Sequence, residues 1–117
     1  MKPDFEIESL EAGVSLTVLR LRGRFDARGA SALTARCAEV RAANHHLVLN
    51  LAGVTFIASS GVGALLALVE EFRQSRNRVR LAEVPPVVDS VIRLLNLDQF
   101  LSIDATEGDS RSELEAA

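Results

Sequence analysis

The chain has 117 residues and a mass of 12.6 kDa, room for one compact domain and not for two. Hydrophobic residues make up 48% and charged residues 25%, a globular mixture that excludes a disordered chain. The net charge of −3 is concentrated at the end: Asp104 to Ala117 holds five acidic residues and one arginine, so the rest is nearly neutral and lacks the basic field that binding to nucleic acid requires.

Taken in order, Asp4 to Glu8 alternates polar and apolar residues and predicts a short edge strand. Glu11-Ala12-Gly13 is a turn, and Val14 to Arg22 is rich in β-branched and apolar residues, a longer strand able to pair with the first as a hairpin. Gly23-Arg24-Phe25-Asp26 breaks that pattern. Leu33, Cys37 and Val40 then recur at helical spacing within Ala30 to Ala43. Leu47 to Leu51 is almost continuously apolar, as in a central strand covered on both faces. A second helix is expected over Ser60 to Ser75, with Val62, Leu65, Leu66, Val69 and Phe72 as its buried stripe. Val79 to Val84 predicts the next strand, and Pro85-Pro86 stands where the first turn of a helix tolerates proline. Val88, Val91, Ile92 and Leu95 mark that helix's inner face, and Phe100 to Ile103 a last strand. The acidic tail beyond is expected to be frayed or loosely docked. The order β-β-α-β-α-β-α-β predicts an α/β domain with a mixed, mostly parallel sheet, an antiparallel N-terminal edge hairpin and helices packed on one or both sides.

Several chemistries find no support. No apolar run approaches the roughly 20 residues of a membrane span. Met1-Lys2-Pro3-Asp4 lacks a signal-peptide core, so the cytoplasm is expected, without direct membrane insertion. Cys37 is the lone cysteine and sits on a helix stripe, which reads as packing rather than a nucleophile. Adjacent His45 and His46 on a strand point to opposite faces and chelate poorly, so no metal is expected. Gly61-Val62-Gly63 is not a dinucleotide fingerprint, because Leu66 stands at its third glycine position, and no phosphate loop or nucleophile elbow is present. No cofactor is expected. With no convincing acid–base pair either, an enzyme or small nucleotide-binding protein is the least favoured class.

In open α/β sheets, binding sites gather at the carboxyl ends of the strands. Gly23 to Gly29, Gly53 to Val62 and Val84 to Val87 fall there. In the middle segment two serines open a helix. One reading makes a serine a plain N-cap and gives Gly61 and Gly63 to close packing. The other is that a hydroxyl at a first helical turn lies beside free N–H groups and the positive end of the dipole. A phosphate attached there is tolerated by its own domain, yet places about −1.5 to −2 charges where a partner would dock. Val84 to Val88 likewise reads either as a rigid helix start or as an apolar contact patch beside the serines.

Two motifs carry a resemblance. Leu21-Arg22-Gly23-Arg24-Phe25-Asp26 is similar to the strand-ending Leu-x-Gly-x-Leu/Phe-Asp of STAS domains of the anti-sigma factor antagonist family. Phe56-Ile57-Ala58-Ser59-Ser60-Gly61-Val62-Gly63 is similar to that family's Asp-Ser-Ser/Thr-Gly-Leu-Gly segment. Element order agrees over roughly residues 5–104, which gives a STAS-like domain over 1–104 and an acidic C-terminal tail over 105–117. The resemblance implies a non-enzymatic antagonist that binds an anti-sigma factor, a GHKL-type serine kinase, and so releases a sigma factor. It implies phosphorylation at Ser59 by that kinase and reversal by a PP2C-type phosphatase. Partner contacts would involve Asp26, Ala58, Ser59, Ser60, Gly61, Val62, Pro85 and Pro86. Ala58 departs from the pattern, because many phosphorylated relatives have Asp there. That departure points to the alternative of an unphosphorylated STAS accessory subunit of a transporter, or a scaffold in a signalling assembly.

Overall fold

A computed structural model describes residues 4–116. Strand β1 (Phe5–Glu11) pairs antiparallel with β2 (Leu16–Phe25), and α1 (Ala27–Ala42) leads to β3 (His46–Ile57). Helix α2 (Ser59–Gln74), β4 (Val79–Ala82), α3 (Pro86–Leu94), a 3₁₀ turn (Leu97–Gln99), β5 (Ile103–Asp104) and α4 (Glu107–Glu115) complete the chain. The sheet runs β1-β2-β3-β4-β5, and every pairing after the first is parallel. The α/β class, mixed sheet and edge hairpin expected from the alternation are therefore present.

Strand alternation divides the core in two. Leu19, Leu21, Leu47, Leu49, Leu51 and Leu81 face α1, α2 and α3 in one continuous cluster. Leu16, Val18, Val48 and Ala82 face the other way and meet Leu114 of α4. Phe25 is fully buried at the end of β2 and stacks on Phe5 of β1, with ring centroids 5.5 Å apart. Burying such a ring contributes about 1.5–3 kcal/mol. Cys37 is buried on the inner face of α1, and burial pushes its thiol up to about 12. His45 and His46 find separate partners: Nδ1 of His45 lies 2.9 Å from the Thr17 hydroxyl, and Nδ1 of His46 accepts the Arg78 backbone N–H at 3.0 Å.

Four expectations need correction. Strand β3 does not stop at Leu51, because its second half goes on pairing with Arg22 to Phe25 of β2, across two shifts of register. On α2 it is Leu68 that is buried, whereas Leu66 is exposed. Phe100 does not start a strand. Its N–H donates to the Leu97 carbonyl (2.9 Å), which closes the 3₁₀ turn and leaves the ring in solvent. The tail segment 107–115 is not frayed but a docked helix.

Helix α4 is held by charge as well as by Leu114. Thr106 caps it by accepting the Asp109 N–H. Arg20 grips Glu107 through two hydrogen bonds of 2.9 Å. Arg80 grips Asp104 at 2.6 and 3.0 Å, and the buried Ser110 hydroxyl donates to the same carboxylate. Asn50, beneath the helix, donates to Glu107 and Glu83, and Glu83 also accepts the Glu107 N–H. The hydrogen bonds from Arg80 and Arg20 hold the Asp104 and Glu107 carboxyls below their ordinary 3.8 and 4.5.

Depressed carboxyl values stabilise the fold above those ordinary values and stop doing so as pH falls through the lowered ones. Urea unfolding between pH 7 and pH 3 is expected to show stability falling below about pH 4.5. A double variant, Asp104→Asn with Glu107→Gln, is expected to be less stable at pH 7 and to show a shallower acid slope.

Candidate functional site

The site is built where β2 and β3 end together. Phe25 is in register with Ile57, so the two crossover helices that follow start side by side. The Ala58 N–H donates to the Phe25 carbonyl at 3.0 Å. That bond holds Ala58 extended (φ −95°, ψ 169°) and makes it the N-cap of α2. Neither serine is the cap, contrary to the plain-cap reading. Ser59 and Ser60 are the first and second residues of the helix, and both are exposed.

The two helix starts differ electrostatically. Asp26 caps α1, its Oδ1 accepting the N–H groups of Arg28 (3.1 Å) and Gly29 (3.2 Å). Helix α2 has no side-chain cap and no acidic residue in its first turn. Its positive end therefore has no side-chain counter-charge at the turn that carries the Ser59 hydroxyl. An anion carried on that oxygen sits in a favourable field, worth about 0.3–1 kcal/mol to the helix.

The motif glycines have separate physical reasons. Gly23 lies at φ +103°, and a side chain there would run into the Asp4 carbonyl. At Gly61 a Cβ would stand 2.6 Å from the Phe25 carbonyl oxygen, so the residue lets α2 sit tight against the end of β2. Gly63 meets nothing within 4 Å. Close packing thus accounts for Gly61 and not for Gly63.

Asp26 and the Ala58–Val62 turn are brought together through Phe25. Pro85 and Pro86 are not joined to them by any hydrogen bond or sheet pairing among the described residues. Pro85 is the N-cap of α3 and Pro86 its first residue. The last residue of β4, Ala82, is level with Asn50, so β3 overruns it by the seven residues to Ile57, roughly 20 Å. The proline turn follows three residues after the end of β4 and opens α3. Val88 is buried beneath it, Val84 and Pro85 are half-buried, and Pro86 and Val87 face solvent.

Sequence reasoning missed one element of the rim. Arg24 and Phe56 are opposite each other in the β2–β3 register, and the guanidinium lies 4.2 Å from the ring centroid. Both are exposed, adjacent to Phe25 and Ile57. Each belongs to a different motif, so only the pairing of the two strands reveals the cation–π contact. Among the described residues no group of three or more His, Cys, Asp or Glu could hold a metal ion.

Gly61→Ala is expected to lower stability by about 1–3 kcal/mol, because backbone must move to admit the methyl group. Gly63→Ala should be neutral or stabilising by up to about 1 kcal/mol, since only helix propensity changes. Urea denaturation of both variants separates these outcomes.

The geometry agrees with comparisons to known proteins. Residues 9–103 match the STAS domain family described as Mlab, STAS domain. An anti-sigma factor antagonist from Mycobacterium paratuberculosis superposes with a TM-score of 0.86 at 23% identity, covering 97% of each chain. The Bacillus anti-sigma factor antagonist SpoIIAA, in its unphosphorylated form, gives a TM-score of 0.81 at 22% identity over 96% of this chain and 98% of its own. The murine anion transporter Slc26a9 matches at a TM-score of 0.74 and 15% identity, over 92% of this chain but 19% of the transporter. Fold, register and family match converge: the chain belongs to the STAS domain family.

Proposed function

We propose that this STAS domain is an anti-sigma factor antagonist that works by binding and not by catalysis. It engages an anti-sigma factor with serine kinase activity, of the GHKL type, through the rim formed by Asp26 and Ala58 to Val62. Phosphorylation of Ser59 weakens that complex, and a PP2C-type phosphatase restores it. The setting is the cytoplasm; no helix among the described residues is long and apolar enough to cross a membrane.

One observation carries this reading. Ser59 is exposed at the first position of a helix whose N-terminus has no side-chain cap and no acidic neighbour within its first turn. Phosphate on that oxygen costs the fold little, because the helix dipole favours it. The same charge must be desolvated by any protein docked over the turn. A net penalty of about 3 kcal/mol reduces affinity roughly a hundredfold. SpoIIAA, known in both an unphosphorylated and a phosphorylated form, is a structural relative in which such a pair of states occurs. Pro85 and Pro86, at the start of α3, complete the partner footprint if the partner also covers that turn.

A second reading rests on Ala58, which supplies no carboxylate next to the acceptor serine. In it the domain is an unphosphorylated accessory subunit of a transporter. The match to a segment of the anion transporter Slc26a9 lends it support.

Incubation with a cognate kinase and ATP, followed by mass spectrometry, is expected to place the phosphate on Ser59. Ser59→Asp should bind the kinase about a hundredfold more weakly, while Ser59→Ala binds normally and resists switching. No modification at Ser59, together with wild-type affinity of Ser59→Asp, overturns the proposal. Capture of a transporter ATPase in place of a kinase from native lysate selects the second reading.

A further inference from the structure

We propose that Arg24, held over the Phe56 ring, is the receptor for a carboxylate of the protein that docks on the Ser59 rim. Arg20, Arg22 and Arg24 alternate along β2, while Leu19, Leu21 and Phe25 point the other way into the core. The arginines share the face of the sheet on which α4 lies, since Arg20 reaches Glu107. The first two are answered from β1: Arg20 pairs with Glu8 at 2.9 Å and Arg22 with Glu6 at 3.5 Å. The third is not. Among the described residues the exposed Arg24 side chain forms no ion pair and no hydrogen bond, and its guanidinium lies 4.2 Å from the Phe56 ring centroid. Nearby carboxylates leave it alone. Asp4, whose carbonyl accepts the Arg24 backbone N–H at 2.8 Å, makes no ion pair with it. Asp26 has its Oδ1 committed to the Arg28 and Gly29 N–H groups. Ala58 adds no negative charge.

The occupant follows from charge and geometry. A guanidinium lying against an aromatic ring is held in one place, and its planar fork of donors binds a carboxylate through two parallel hydrogen bonds. Affinity at protein interfaces concentrates on such arginines and on aromatic residues. A basic or apolar group set against Arg24 leaves a cation unpaired beneath the interface, which is costly. Phe56 stands three residues before Ser59, at most about 11 Å of chain. A partner that covers the Ser59 turn therefore has Arg24 at the edge of its footprint. The inference rests on the kinase reading above and deepens it. The anti-sigma factor presents an Asp or Glu to Arg24, and phosphate on Ser59 sets like charge beside that carboxylate.

Calorimetric titration of the cognate anti-sigma kinase with wild type and variants tests this. Arg24→Gln is expected to weaken binding at least about tenfold, with little change in melting temperature because the side chain is exposed. Arg24→Lys should recover only part of the loss, since an ammonium lacks the fork. Phe56→Leu, which frees the guanidinium, should weaken binding about threefold. The association rate of wild type should fall more steeply with salt than that of Arg24→Gln, a difference that a merely structural role does not produce. Among single changes of exposed Asp or Glu to Arg on the kinase, one is expected to bind Arg24→Glu at least about tenfold more tightly than the unchanged kinase does. Absence of any such change overturns the proposal. Ser59→Asp separates it from the reading beneath it. If Ser59→Asp weakens the complex while Arg24→Gln and Arg24→Glu bind as wild type does, the switch stands and the carboxylate receptor is overturned. Unchanged affinity of Arg24→Gln, together with a shifted phosphate resonance in the phosphorylated chain, assigns Arg24 to its own chain's phosphate and also overturns it. A wild-type chain that binds no kinase overturns both.

Discussion

The Phe25 carbonyl is the point on which the domain's working end depends. It accepts the Ala58 N–H, which fixes where β3 stops and α2 begins, and it lies against Gly61, which fixes how closely α2 approaches the sheet. Its own side chain is buried against Phe5, so the carbonyl cannot move without disturbing the β1–β2 edge. Exposure of Ser59, capping of α1 by Asp26 and the Arg24–Phe56 contact all inherit their positions from that one backbone group. A rim assembled on strand ends in this way is held by backbone contacts, which suits the switchable docking surface proposed above.

Part of this was legible in the residues. The alternation of strand and helix, the antiparallel edge and the position of the serines at a helix start all follow from local patterning. What escaped was non-local. Residues Ala52 to Ile57 look like a link because Gly53 interrupts their apolar pattern, yet they are strand because Arg22 to Phe25 of β2, far away in sequence, pair with them. The six residues Ala64 to Val69 are apolar without a break, so periodicity could not decide between Leu66 and Leu68. Serine's preference for N-caps placed the helix start one residue late, because tertiary pairing assigned the cap to Ala58. The Arg24–Phe56 contact needed the strand register before it could be seen.

The acidic end of the chain shows the same limit more sharply. Counted as charge, it reads as solvated tail. Placed in space, Glu107 meets Arg20, 87 positions earlier, and Asp104 meets Arg80, 24 positions earlier. The second pair is shielded from solvent, Asp104 and Arg80 retaining only 12% and 14% side-chain exposure, whereas in the first Glu107 is covered and Arg20 stays open to water. Leu114 covers the apolar strip of Leu16, Val18 and Val48 that the sheet would otherwise leave bare on its second face. Helix α4 is thus part of the core architecture and not an appendage to it.

Cys37 gives the α1 side of the molecule a particular chemical quietness. It is the chain's lone sulfhydryl, it sits on the inner face of α1 against the core, and burial pushes its thiol up to about 12. Oxidants and alkylating reagents find no thiolate to attack while that helix stays seated. The sulfur therefore acts as an internal witness: it becomes reactive only when α1 lifts from the sheet, and the pace of its modification reads out how often the domain breathes.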